Sequence, residues 1–192
     1  MKLKLKILAL IILLLGSGLE IRSQDIPPPN PDLVINILSG QSIVFVFDTM
    51  DKYINGIMGG GQSTFIRIGS IYNWKLDFRA DQNMFYGTSD PTNTIQLDNV
   101  GVVVVATGTN LDDGTNIINY AKTLPLALSS IDVTLMTKGS QTNKGYAIRN
   151  SFTLNWEMGT RRGNMNPQRM LDQNLGADTY TLNVILTLSP VF

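Results

Sequence analysis

The chain has 192 residues, 43% of them hydrophobic and 16% charged, with 15 Lys+Arg balanced by 15 Asp+Glu. It contains no cysteine and no histidine, which excludes disulfides, thiol nucleophiles, a lipoprotein anchor cysteine and imidazole-based acid–base or zinc chemistry. The length is enough for one domain with a sizeable core. The low charge leaves Asn, Thr, Ser, Gln and Gly to cover it, a bias toward strands and turns.

In chain order, residues 1–23 read as a secretory signal peptide. Lys2, Lys4 and Lys6 form a positive start, residues 7–15 an unbroken apolar run, and Gly16, Ser17 and Gly18 end it. An apolar run of that length is too short to span a membrane as a helix, which takes about 20 residues. Cleavage is expected after Ser23, with Gly18 as the second choice. A chain starting at Gln24 loses Lys2, Lys4, Lys6 and Arg22 but only Glu20, leaving 11 basic and 14 acidic residues. No basic footprint for phosphates remains, so nucleic acid is not an expected partner. Residues 24–32, with Pro27, Pro28, Pro29 and Pro31, read as a stiff extended linker.

Residues 33–192 are expected to form one domain. Short apolar or alternating runs recur between turn residues, predicting strands over 33–38, 43–47, 63–68, 72–80, 94–97, 101–106, 131–137, 146–158 and 180–189. Trp74, Leu76 and Phe78 share one face opposite Asn73, Lys75 and Asp77. Tyr180, Leu182, Val184, Leu186 and Leu188 likewise form one stripe, with Ile185 as an apolar intrusion on the other. The run 100–105 is continuously apolar, which predicts a central strand covered on both faces. Short helices are expected around 116–123 and 168–175. The fold class is therefore an all-β antiparallel sandwich with one or two short helices.

Several residue groups invite a chemical reading. Asn55, Gly56, Gly59, Gly60 and Gly61 form a glycine-rich loop that lacks both the Walker lysine and the dinucleotide spacing, so it reads as a flexible connection and a partner-contacting loop. Asp112, Asp113 and Asn116 offer oxygen ligands for calcium, but the spacing departs from the EF-hand loop and an Asp-Gly turn is the simpler reading. Arg161 and Arg162 are expected on an exposed loop able to contact a partner or an anionic glycan. Trp74 and Trp156 sit in alternating strands and read as core rather than sugar-stacking residues. Asp48 and Asp51, near a strand end, read as solvated loop residues. Glu157 is the one glutamate after residue 23, so a carboxylate pair for glycoside cleavage has to come from aspartates such as Asp48, Asp77 or Asp81, which carry no motif. No cofactor is expected.

The sequences Tyr72-Asn73-Trp74-Lys75-Leu76 and Tyr180-Thr181-Leu182-Asn183-Val184-Ile185-Leu186-Thr187-Leu188-Ser189 together resemble the WxL domain of bacterial surface proteins. That family pairs an internal Trp-x-Leu with a C-terminal Tyr-x-x-x-(apolar)-x-Trp-x-Leu strand; here Leu186 stands at the second tryptophan. The resemblance implies a secreted β-sandwich held noncovalently on the cell envelope, with Trp74, Leu76, Tyr180 and Leu188 as the transferable positions, and the change at Leu186 weakens the implied link to peptidoglycan. The chain also resembles fimbrial, pilin-like sandwiches, which implies strand complementation between like subunits with residues 25–38 as donor. The expected function is that of a noncatalytic, exported surface protein, adhesin-like or pilus-like, whose partners are envelope proteins, like subunits, or a cell-wall or surface glycan. The competing expectations are a small outer-membrane β-barrel, suggested by the alternating last strand and Phe192, and an aspartate-dependent carbohydrate-active enzyme.

Overall fold

The computed structural model describes residues 32–59, 62–109 and 117–192. The expected signal peptide, nearly all of the expected proline-rich linker, Gly60, Gly61 and the Asp112–Asn116 calcium candidate lie outside the described residues.

Strands dominate, as β-branched and aromatic runs between turn residues dictate. They are β1 (Leu33–Ser39), β2 (Ser63–Ser70), β3 (Asn73–Ala80), β4 (Met84–Gly87), β5 (Thr94–Gln96), β6 (Val100–Ala106), β7 (Ile118–Tyr120), β8 (Leu126–Ala127), β9 (Val133–Lys138), β10 (Ser151–Met158), β11 (Tyr180–Thr181) and β12 (Val184–Val191). One sheet runs β1-β2-β10-β6-β8 and a second β12-β3-β9-β7, while β11-β4-β5 forms a small third sheet. All pairings are antiparallel. Among the described residues the sheets are open, and none closes into a barrel.

The two large sheets pack face to face through their aromatic residues. Trp74 of β3 meets Phe152 of β10 edge-on at 5.9 Å between ring centres, and Phe78 meets Trp156 at 6.5 Å. Ile66, Ile68, Leu76, Leu154 and Val102 complete a solvent-free interior. The alternation of β3 explains this: Trp74, Leu76 and Phe78 are fully buried. Tertiary hydrogen bonds fix the tryptophans. Trp74 Nε1 donates to the Asn143 carbonyl at 2.9 Å, and the Asn143 side chain brackets the Trp74 backbone on both its N–H and its C=O.

The structure corrects several expectations. Residues 43–47 make no strand pairing. Residues 118–120, expected as helix, form β7, because Ile118 is drawn into the interior and its neighbours pair with β9. The expected helix at 168–175 is only a 3-10 turn over Met170–Asp172. Among the described residues the one α-helix, α1 (Met50–Asn55), lies where none was expected; Thr49 caps it by accepting the Lys52 N–H. The run 146–158 pairs only over β10, and its first residues form a turn in which Arg149 N–H donates to the Tyr146 carbonyl. The long last strand is two: β11 pairs with β4 and β12 with β3, so residues 182–183 carry the chain from one sheet to another. Valine-rich β6 is covered on both faces only in its first half, while Val105 is 42% exposed. Asp77, expected on the solvent face of β3, is buried, bonded by Lys75 Nζ at 2.6 Å and by the Thr134 hydroxyl at 2.7 Å.

The interior is sealed unevenly. At the seam closed by β7 and β8, Ile118 and Ala127 are buried. At the opposite seam β1 and β12 approach each other as the free edges of their sheets, and neither contributes a fully buried residue. Leu33, Ile35, Val184, Leu186 and Leu188 lie there half-buried against the core.

Candidate functional site

Residues 43–47, in the order Ile-Val-Phe-Val-Phe, are the most unusual segment of the described fold. Ile43, Phe45 and Phe47 are half-buried and packed on the core, while Val44 and Val46 are 58% and 55% exposed. That period of two is the signature of an extended chain, yet it belongs to no sheet. Two of its four even-numbered backbone groups are met by side chains: Val44 N–H donates to Gln62 Oε1 at 3.1 Å, and Lys52 Nζ donates to the Val46 carbonyl at 3.0 Å. In an extended chain the groups of Ile43, Phe45 and Phe47 point to the opposite edge. None of these has a hydrogen-bond partner among the described residues. The segment therefore keeps backbone hydrogen-bonding capacity along one side.

What holds it is a relay from the core. Trp156 Nε1 donates to Thr64 Oγ1 at 2.9 Å, and Thr64 Oγ1 donates to the Gly40 carbonyl at 2.6 Å. Gly40 has φ +69°, and a Cβ there would lie 1.9 Å from the Ser63 carbonyl oxygen, so only glycine fits this corner. At the far end α1 returns the chain, and Tyr53 packs on Phe47 with ring centres 5.3 Å apart. Ile37 and Leu38 of β1, 41% and 49% exposed, add to the apolar surface of this region.

The two loops singled out in the sequence meet elsewhere. Gly59 and Arg162 line one recess of about 260 Å³ with Met58, Val103, Asn155 and Glu157. Before the glycines, Ile57 and Met158 exchange both backbone hydrogen bonds, at 2.7 and 2.9 Å. Asn55 closes α1 by donating to Asp51 at 2.7 Å. Strand β2, not a helix, is the next described element after the glycines. Arg161 is exposed, with φ +61°. Arg162 is committed, its guanidinium donating to Glu157 Oε2 at 3.0 Å and to the Thr123 carbonyl at 2.8 Å. Glu157 is 1% exposed, and its Oε1 has no hydrogen-bond partner.

The aspartates proposed for acid–base work are each engaged. Asp48 accepts from Lys52 at 2.7 Å, and that bond holds its carboxyl below the usual range. Asp81 accepts from the side chain and backbone of Asn183, with the same consequence. Asp178, which the sequence did not mark, accepts the N–H groups of Ser89, Asp90 and Thr179 at 2.7–3.0 Å and ties the β4–β5 hairpin to the approach to β11. These bonds hold its carboxyl far below the usual range. No cluster of three metal-binding side chains occurs among the described residues.

Trp74, Leu76 and Trp156 are core. Of the motifs that carry the resemblance, β12 lies beside β3, with Leu188 opposite Leu76 and Leu186 opposite Phe78, while Tyr180 lies in β11 beside β4. Tyr180, Leu182, Val184, Leu186 and Leu188 all pack half-buried on the core.

No family model matches the chain, and no curated protein matches its sequence.

Proposed function

We propose that this chain is an exported, noncatalytic envelope or surface protein, adhesin-like or pilus-like, that binds through its strand edges and loops. The observation that carries this reading is the 43–47 segment, which presents an extended apolar chain with one hydrogen-bonding edge unmet. Main-chain pairing at such an edge supplies affinity and the alternating side chains supply selectivity. The free β1 and β12 edges and the Arg161 loop widen the available surface.

The positive and apolar start of the sequence supports export. The in-register pairing of the Trp74 strand with β12 supports a WxL-like or pilin-like surface sandwich, with envelope proteins, like subunits, or a wall or surface glycan as partners. Open sheets around a solvent-free interior favour this reading over an outer-membrane barrel. The structural commitments of Asp48, Asp77 and Asp81 favour it over an aspartate-dependent glycosidase. Among the described residues no helix is long and apolar enough to cross a membrane.

The test is to express the full chain in a bacterial host, follow it by fractionation, and measure binding of the released protein to cells, peptidoglycan and surface glycans. Release from the cytoplasm with saturable binding to one of these is expected. Retention in the cytoplasm, or release with no binding to any of them, overturns the proposal.

A further inference from the structure

The strand-edge reading leaves the partner open, and the chemistry of residues 42–48 selects one. We propose that residues 43–47 pair antiparallel with the same segment of a second copy, about a two-fold axis through Phe45. This inference rests on the reading of the chain as a strand-edge binder.

Three observations converge on a copy rather than an unrelated strand. The first is which edge is open. Val44 N–H and the Val46 carbonyl are already capped by Gln62 and Lys52, whereas Ile43, Phe45 and Phe47 are unmet. An antiparallel pair centred on Phe45 places Phe45 opposite its copy and Ile43 opposite Phe47. In the alternating pattern of such a ladder these are the hydrogen-bonded pairs, so the open groups of Ile43, Phe45 and Phe47 find partners and no capped group has to be released.

The second is self-complementarity. In this register Val44 stands opposite Val46 of the copy, a non-hydrogen-bonded pair whose side chains approach closely, and both valines are exposed. β-branched side chains suit that position.

The third is charge. Residues 42–47 carry none. The first charge reached, Asp48, falls opposite Ser42 of the copy and is already neutralised by Lys52 at 2.7 Å. Two copies therefore meet without like charges, and none of the devices that block edge-to-edge pairing, such as a lysine aimed outward or a proline, lies within the segment. An isologous contact of this kind closes at a dimer and propagates no fibre.

The experiment uses the full chain, purified in the processed form its host releases, and reads sedimentation velocity over a wide concentration range. The native chain is expected to dimerise reversibly. Val44→Lys with Val46→Lys sets lysine against lysine in both cross-strand positions and is expected to weaken the dimer at least about tenfold. Val44→Lys with Val46→Glu sets lysine against glutamate and is expected to restore it. All substituted positions are exposed, so unchanged thermal unfolding establishes that both variants fold. A native chain that stays monomeric, or a dimer indifferent to the double lysine change, overturns the inference. A monomer that still binds envelope material defeats the dimer but spares the strand-edge function; a dimer that binds nothing supports the dimer and defeats that function.

Discussion

Arg162 lies on a loop where an exposed, partner-seeking arginine is the simplest expectation, yet its guanidinium is spent on a buried carboxylate. Glu157 sits on β10 facing the recess, 1% exposed, and Arg162 Nη1 at 3.0 Å is its one ionic contact among the described residues. Removing Arg162 leaves an uncompensated charge inside the fold. Arg162→Ala is therefore expected to lower stability by about 3 kcal/mol, toward the low end for breaking a buried pair because the arginine is partly solvated. Glu157→Gln removes the charge and keeps the shape, so it should be milder. Equilibrium urea unfolding checks both, and equal losses would contradict this account. Asp178 gives a pH signature. Its backbone hydrogen bonds favour the carboxylate and depress the folded-state pKa, so its stabilising contribution is complete above the unfolded value of about 3.9 and declines as pH falls through the folded value. Asp178→Asn should lower the melting temperature at pH 7 and flatten its dependence on pH below about 4. A native-like acid profile in the variant would rule this out.

At the scale of elements, the corner at Gly40 decides where the 43–47 strand lies. Thr64 accepts from Trp156 and donates to Gly40, so Thr64→Val keeps the shape but removes both bonds. It leaves the buried indole N–H unpaired, at an expected cost of about 1–3 kcal/mol. Gly40→Ala fails twice, on φ and on the Ser63 carbonyl, and should be the more damaging; denaturant midpoints of the two variants check the order. Most strands were legible in the sequence because alternation over five or more residues reports a face turned toward a core. Trp74, Leu76 and Phe78 are the clear case. Some shorter elements were not: β7 has three residues and β8 two, too few to show a period, and pairing with β9 overrides the helical spacing around Ile118. The switch between sheets at residues 182–183 is invisible because Tyr180 and Leu182 continue the stripe of β12. The site was half legible. The pattern 43–47 reads as a strand, but a missing neighbour is a property of topology. The Glu157–Arg162 pair was hidden because a buried glutamate among strand residues leaves no periodic mark of its charge.

For the molecule as a whole, the two seams of the sandwich differ in how they are closed. Burial of apolar area is the dominant stabilising term, and it is concentrated in β2, β3, β6 and β10, where Ile66, Trp74, Phe78, Val102, Phe152 and Leu154 are at or near zero exposure. β1 is held on one side only, by its ladder to β2, and that ladder slips between Ile37 and Ser39. Four of its seven residues are exposed and the other three only half-buried. Opening β1 therefore exposes little apolar surface, whereas opening β2 or β10 requires taking the interior apart. Native-state hydrogen exchange should accordingly find the β1 amides that bond to β2 exchanging through a local opening, at least about tenfold faster than those of β10 at its Phe152 and Leu154 pairings. Denaturant should leave the β1 rates nearly unchanged while accelerating those of β10, because only the second opening exposes much surface. Equal protection and equal denaturant response in the two strands would mean that β1 is integral to the core, and that the half-closed seam contributes as much to the cooperative unit as the sealed one.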